Sequence, residues 1–372
     1  MNTRIKTIDL TLFVIPLILL AVSVVVIYSL VMGTNLDGYG VKQGIFAIIG
    51  LAIAILVSFV DYRHFRSIAW IFYVVSILLL LYVDFFGKTV NGAMNWIDLK
   101  FFQLQPSEIA KVFSIVVLAS FLQSRVGKLR WLDIFVSVLI MTPTLYFIMK
   151  EPDAGTAMVL CFIYLVMLLA AKPKKAQLFS IFGLILIAVS VVVLSYFNVK
   201  PMGLLLKDYQ RQRIAVFLDP SLDPYKSGYN VQQAQITIGS GGLTGKGLGQ
   251  GPQSQLQFLP EAHTDFIFAG IAESFGFAGS LLIIFIFGYL IYRLLDIAKA
   301  ALDNFGTLIV IGVAAMIFFQ VVISVGMNLG LLPVTGIPLP LLSYGGTSLF
   351  VTMFSLGLAQ SVFIRHKKIA FH

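Results

Sequence analysis

Apolar residues in this chain come in long runs separated by short polar turns. A helix rises about 1.5 Å per residue, so about 20 mostly apolar residues cross a hydrocarbon layer of about 30 Å. Ten runs reach or approach that length: Leu10–Val31, Gly44–Val60, Ile68–Val83, Pro106–Leu122, Leu132–Met149, Gly155–Ala171, Gln177–Phe197, Phe266–Tyr292, Thr307–Leu332 and Leu341–Ile364. The third and fourth are the shortest, so a re-entrant or tilted element fits there. The pattern predicts an all-α polytopic membrane protein of about ten transmembrane helices. It reads as one integral membrane domain over residues 1–372, with one large loop, about 198–264, between spans 7 and 8. No soluble domain and no short-period repeat interrupts it. The first run follows Arg4 and Lys6. It is long for a signal-peptide core and lacks a small-residue cleavage site, so it is expected to stay as the first span.

Composition agrees with the pattern. The chain is 59% hydrophobic and 12% charged, with mean hydropathy +0.94, whereas soluble domains run near 45–50% apolar and 25% charged. The net charge of +9 would suggest nucleic acid in a soluble protein. Here it follows from positive cytoplasmic loops and anionic headgroups, and no nucleic-acid partner is expected. If the N-terminus lies inside, the inside segments hold fifteen basic residues and the short outside loops four, namely Lys42, Lys88, Lys100 and Lys150. That asymmetry predicts a multi-pass plasma-membrane protein with both termini cytoplasmic and the large loop outside. The single cysteine, Cys161, excludes an intramolecular disulfide and a cysteine metal site.

Ionisable groups at a hydrocarbon edge are costly to keep and so are functional candidates. Gln257–Gly276 (QFLPEAHTDFIFAGIAESFG) carries Glu261, His263 and Asp265 at the mouth of the eighth span, with Glu273 deeper. Asp265 is the candidate general base: a helix start favours its charge, partial burial opposes it, and it could take a proton from a sugar hydroxyl. Glu273 reads as a structural hydrogen-bond partner. Glu108 and Lys111, three apart on one helical face after Pro106, read either as a structural ion pair or as a pair lining a substrate groove. Trp96 suits a membrane interface or a sugar-stacking role. Asp153 suits a helix cap or a site role beside Glu151. Arg211 and Arg213 lie in the large loop, and Arg213 offers a fork of donors for phosphate. The loop's run IGSGGLTGKGLGQG is either a flexible connector or a place where backbone approaches a ligand, and it is not a P-loop. Met327–Ser348 has three prolines at the outer edge, where irregular backbone lines a wet cavity, and adds Ser343, Thr347 and Ser348 as hydroxyls.

LLPVTGIPLPLLSYGGTS, NWIDLKFFQLQPSEIAK, DYQRQRI with FLDP, and LPEAHTDFIFAGIAESFG together resemble the signatures of the SEDS family (shape, elongation, division, sporulation). The match spans nearly the whole chain and sits closer to the family's rod-shape branch than to its division branch. The resemblance implies a peptidoglycan glycosyltransferase that polymerises lipid II on the outer face of the plasma membrane for cell elongation and shape. Its essential carboxylate falls on Asp265. Its polar cavity residues fall on Trp96, Glu108, Lys111, Arg213 and the Ser343–Gly346 segment. It implies a class B penicillin-binding protein and other elongation-machinery membrane proteins as partners. The outer carboxylates could hold Mg²⁺ or Mn²⁺ with water and diphosphate, but no ligand set is written in the spacing. Two alternatives use the same chain: a lipid II flippase, which needs polar groups facing both sides, and a passive scaffold, which needs neither Asp265 nor the Glu108–Lys111 pair.

Overall fold

The computed structural model describes residues 8–34, 36–90, 93–197, 208–224 and 227–366. Its apolar runs form helices α1 (Thr11–Val31), α2 (Tyr39–Phe59), α4 (Ala69–Phe86), α5 (Pro106–Leu122), α6 (Trp131–Lys150), α7 (Ala154–Ala170), α8 (Lys175–Tyr196), α12 (Ile267–Ala300), α13 (Asn304–Asn328) and α14 (Gly346–Ile364). A short α3 (Tyr62–Ser67) precedes α4, and α9 (Asp208–Leu218), α10 (Ser227–Ser240) and α11 (Pro252–Gln255) lie in the long connection. Among the described residues eight helices are long and apolar enough to cross a membrane; α7 and the described apolar part of α8 are shorter. Helix α4 and helix α5 are continuous, so neither is re-entrant.

Helix starts carry their expected punctuation. Pro106 opens α5, where its missing N–H is no loss. Asp153 accepts from Thr156 N at 2.9 Å, and Asp303 accepts from Gly306 N at 2.8 Å. The most enclosed helices are α5, α13 and α14; α14 packs on α2, α12 on α13, and α4 on α5. One feature was absent from the expected all-helical pattern. Lys88–Val90 (β1), Ala93–Asp98 (β2) and Gln103–Leu104 (β3) form a small antiparallel sheet in the order β1-β2-β3. It covers one end of the bundle.

Along its glycine run the long connection is held against α12 rather than free. Its backbone is bonded to α12: Lys246 N donates to Glu273 O at 2.9 Å, Gly247 N to Ser274 O at 3.0 Å, and Phe277 N to Gly242 O at 2.9 Å. Helix α12 kinks at Gly276, with φ 69° and ψ −166°. A Cβ at Gly276 would lie 2.3 Å from Gly245 N, and one at Gly245 would lie 2.2 Å from Ser274 O. Two strands of backbone therefore meet where no side chain fits. Glu273 is fully buried and accepts from Gln253 N at 2.9 Å, Ser254 N at 3.1 Å and the Ser254 hydroxyl. It holds the start of α11, which agrees with its structural reading. Gly276→Ala is expected to cost about 1–3 kcal/mol in backbone strain alone, plus the clash, and to lower the thermal midpoint of the detergent-solubilised protein; an unchanged midpoint contradicts this packing.

At the opposite end of the bundle Arg293 of α12 pairs with Asp9 and lies over the Phe363 ring of α14 at 5.6 Å. Segments near both chain ends thus share one end, and the long connection, the sheet and the Pro-rich segment before α14 share the other, here termed the loop end.

A polar cavity at the loop end

Three segments meet at the loop end because buried polar groups tie them together. Ser343 donates to Thr264 O at 2.7 Å and accepts from Leu339 N at 2.8 Å. Tyr344 N donates to His263 O at 2.9 Å. Gln43, fully buried on α2, donates to Ser23 Oγ at 3.0 Å and to Ser343 O at 3.3 Å. Thr347 donates to Gln103 O at 2.8 Å and fixes β3 against α14. Asn328, at the end of α13, accepts from Ala269 N at 3.1 Å and donates to Asp265 O at 3.0 Å. Asn328 therefore caps α12, which leaves the Asp265 carboxylate free of that duty.

These ties enclose a cavity of about 720 Å³. Its wall includes eight of the eleven anticipated site residues: Trp96, Asp153, Arg213, Glu261, His263, Asp265, Thr347 and Ser348. It also includes residues that helical periodicity could not single out, among them Tyr39, Lys42, Asn95, Gln105, Thr335 and Tyr344. Asp265 is half-buried, and its carboxylate accepts no hydrogen bond among the described residues. Gly336 faces it with φ 73°, and a Cβ there would stand 3.7 Å from Asp265 Oδ2. Burial, then Glu261, raise the Asp265 pKa to about 6, while Arg213 opposes the rise. Burial thus outweighs the favourable cation. Burial holds the His263 ring below its usual value, and Glu261 opposes that shift.

Asp153 caps a helix and also stands in the cavity wall. One oxygen caps α7, and the other accepts from Gln105 Nε2 at 3.2 Å and Ser107 Oγ at 3.1 Å, while the side chain lines the cavity. Its neighbour Glu151 is buried with neither carboxyl oxygen bonded. Desolvation, then Asp153 and Asp84, push its pKa up to about 8. Arg213 projects from α9, with Nη1 3.5 Å from Thr335 O; Arg211 instead meets Ser195 O at 3.4 Å.

Three anticipated residues lie behind the cavity wall. Glu108 and Lys111 form an ion pair of 2.5 Å with side chains 3% and 1% exposed, and neither lines the cavity. The pair is buried because α5 runs through the interior of the bundle. Ser343 is also buried, its hydroxyl consumed by the strap bonds above. Among the described residues no three His, Cys, Asp or Glu side chains converge to hold a metal ion.

Comparison with known proteins agrees with this architecture. The family model described as cell cycle protein, covering FtsW, RodA and SpoVE, matches residues 9–368. The peptidoglycan glycosyltransferase MrdB of Escherichia coli K12 is 39% identical over 97% of this chain and 95% of its own length. The peptidoglycan glycosyltransferase RodA of Treponema pallidum is 33% identical over 95% of this chain and 97% of its own. Among solved structures, a chain of a peptidoglycan synthase complex that coordinates polymerization and crosslinking superposes with TM-score 0.81 at 31% identity, covering 96% of this chain and 98% of that one. The rod shape determining protein RodA of Thermus thermophilus superposes with TM-score 0.69 at 28% identity, over 96% of each chain. With its bundle, its loop-end cavity and these matches, the chain belongs to the FtsW/RodA/SpoVE family of polytopic membrane proteins, the SEDS family.

Proposed function

We propose that this protein is a peptidoglycan glycosyltransferase that polymerises lipid II at the outer face of the plasma membrane, in cell elongation and shape. The observation that carries the reading is the unengaged carboxylate of Asp265 in a large polar and aromatic cavity at one end of the helical bundle. A lipid-linked sugar needs such a place, because its hydroxyls are wet and its carrier is not. The relatives named as peptidoglycan glycosyltransferases support the activity. They favour it over a lipid II flippase.

In this mechanism Asp265 takes the proton from the 4-hydroxyl of the GlcNAc of one lipid II. That oxygen bonds to C1 of the MurNAc at the reducing end of the growing chain. The C1–oxygen bond to undecaprenyl diphosphate breaks, the electron pair leaves with the diphosphate, and the α anomer becomes β. Arg213 stabilises the charge on the departing diphosphate. Trp96, Asp153, Glu261, His263, Thr347 and Ser348 position the sugars. The buried Glu108–Lys111 pair and Ser343 hold the wall behind them. The basic-residue asymmetry supports cytoplasmic termini, and the chain-end segments sharing one end of the bundle fit that orientation. The synthase-complex relative supports a class B penicillin-binding protein as partner.

Only the ionised Asp265 accepts a proton. The rate is therefore expected to rise with pH through about 6 and to level off above it. A rate profile of purified protein in lipid II checks this; a rate flat from pH 5 to pH 8 contradicts it.

A further inference from the structure

The cavity presents three cations from three different elements: Arg213 on α9, Lys42 on α2 and Lys100 in the turn after β2. Arg213 is the cation whose charge acts on Asp265. Lys42 is exposed and makes no ion pair among the described residues; its ammonium lies over the Tyr39 ring, 5.3 Å from the centroid. Between Lys42 and the Asp265 segment stands a cluster of aromatic rings. Tyr39 and Tyr344 stack with centroids 4.4 Å apart and planes at 11°. His263, two residues before Asp265, stands against both rings at 5.6 Å and 5.8 Å.

The reaction proposed above needs two diphosphates placed differently. The donor's diphosphate is attached to the carbon under attack, so it must depart close to the base. The acceptor reacts through the 4-hydroxyl of its GlcNAc, while its own diphosphate sits on the far side of its MurNAc, one disaccharide away. Arg213 satisfies the first demand. The second needs an apolar wall for the acceptor's sugars between the base and a separate cation. Aromatic faces suit the C–H faces of sugars, and an unpaired ammonium suits a diphosphate.

Resting on that glycosyltransferase reading, we propose that Tyr39, Tyr344 and Lys42 form the acceptor subsite: the disaccharide packs against the stacked pair, with its 4-hydroxyl at Asp265 and its diphosphate on Lys42. Arg213 then serves the donor.

The test uses the purified full chain and two synthetic substrates, each limited to one role. A lipid-linked disaccharide with its GlcNAc 4-hydroxyl capped can only donate. An analogue with a non-cleavable carbon link between sugar and phosphate can only accept. Lys42→Gln is expected to raise the acceptor KM about tenfold, a loss recovered at saturating acceptor, with the donor KM held within about twofold. Lys42→Arg is expected to restore most of the acceptor affinity. A second acceptor with a neutral headgroup in place of the diphosphate should be bound equally by wild type and Lys42→Gln, which separates a charge contact from a packing change. A rise in the donor KM instead, or no change in either, overturns the assignment. Failure of the wild type to join the two substrates is a separate outcome: it removes the glycosyltransferase reading, and the subsite with it.

Discussion

Cutting Glu108 to alanine is expected to destabilise the fold by about 3–5 kcal/mol, because it strands a charge in the interior. Lys111 is 1% exposed and its ammonium contacts Glu108 Oε1 at 2.5 Å. The surrounding α5 residues Ala110, Val112 and Ile115 are fully or almost fully buried and offer no replacement acceptor. Glu108 already leaves its second oxygen unpartnered, so the pair is held by one strong contact. A Glu108→Leu, Lys111→Met double variant removes both charges and keeps most of the volume. It should melt well above either single variant, since an apolar pair costs less to bury than a lone ion. Thermal midpoints in detergent, followed by tryptophan fluorescence, measure the three. Equal midpoints for wild type and Glu108→Ala contradict the burial of the pair.

Asp265→Asn is expected to lower the rate at saturating substrate by about 10²- to 10⁴-fold, the usual contribution of a positioned base. Asparagine keeps the shape and cannot take the proton. The Asp265 carboxylate closes no hydrogen bond among the described residues, and α12 is capped by Asn328. The variant should therefore melt as the wild type does. Asp265→Glu, which keeps the base but displaces it, should fall between the two. Single-turnover rates with lipid II separate these cases, and an Asn variant within about threefold of wild type removes the base role.

Much of the architecture was legible because hydrocarbon leaves few choices. Without water to satisfy the backbone, each long apolar run must be a helix, and Pro106–Leu122 was read to the residue. Helix ends set by tertiary contact were not legible: α12 continues to Ala300, and α14 begins only at Gly346 after the Pro-rich strap. The small sheet over residues 88–104 was missed because its strands are two to six residues long. In the cavity wall, Asp265, Glu261, His263, Asp153, Thr347 and Ser348 stand out in the sequence as polar groups near span ends, and Trp96 and Arg213 as an aromatic and a cation in the loops. The i, i+3 spacing of Glu108 and Lys111 gave their pairing but not which neighbours close over them. Ser343 has the same chemistry as Ser348 and differs only in being bonded to Thr264 and Leu339. The glycine run was ambiguous for the same reason: glycine permits close approach, and only the fold shows that α12 is what approaches. Nothing in the local sequence singles out Tyr39; only the fold brings Tyr344, about three hundred residues on, to stack against it.

The most direct measurement is the product of lipid II incubated with the purified protein and with a folded Asp265→Asn variant. A ladder of glycan strands is expected from the wild type and no strands beyond trace from the variant. A ladder of equal strength from both, at equal thermal stability, would contradict this expectation.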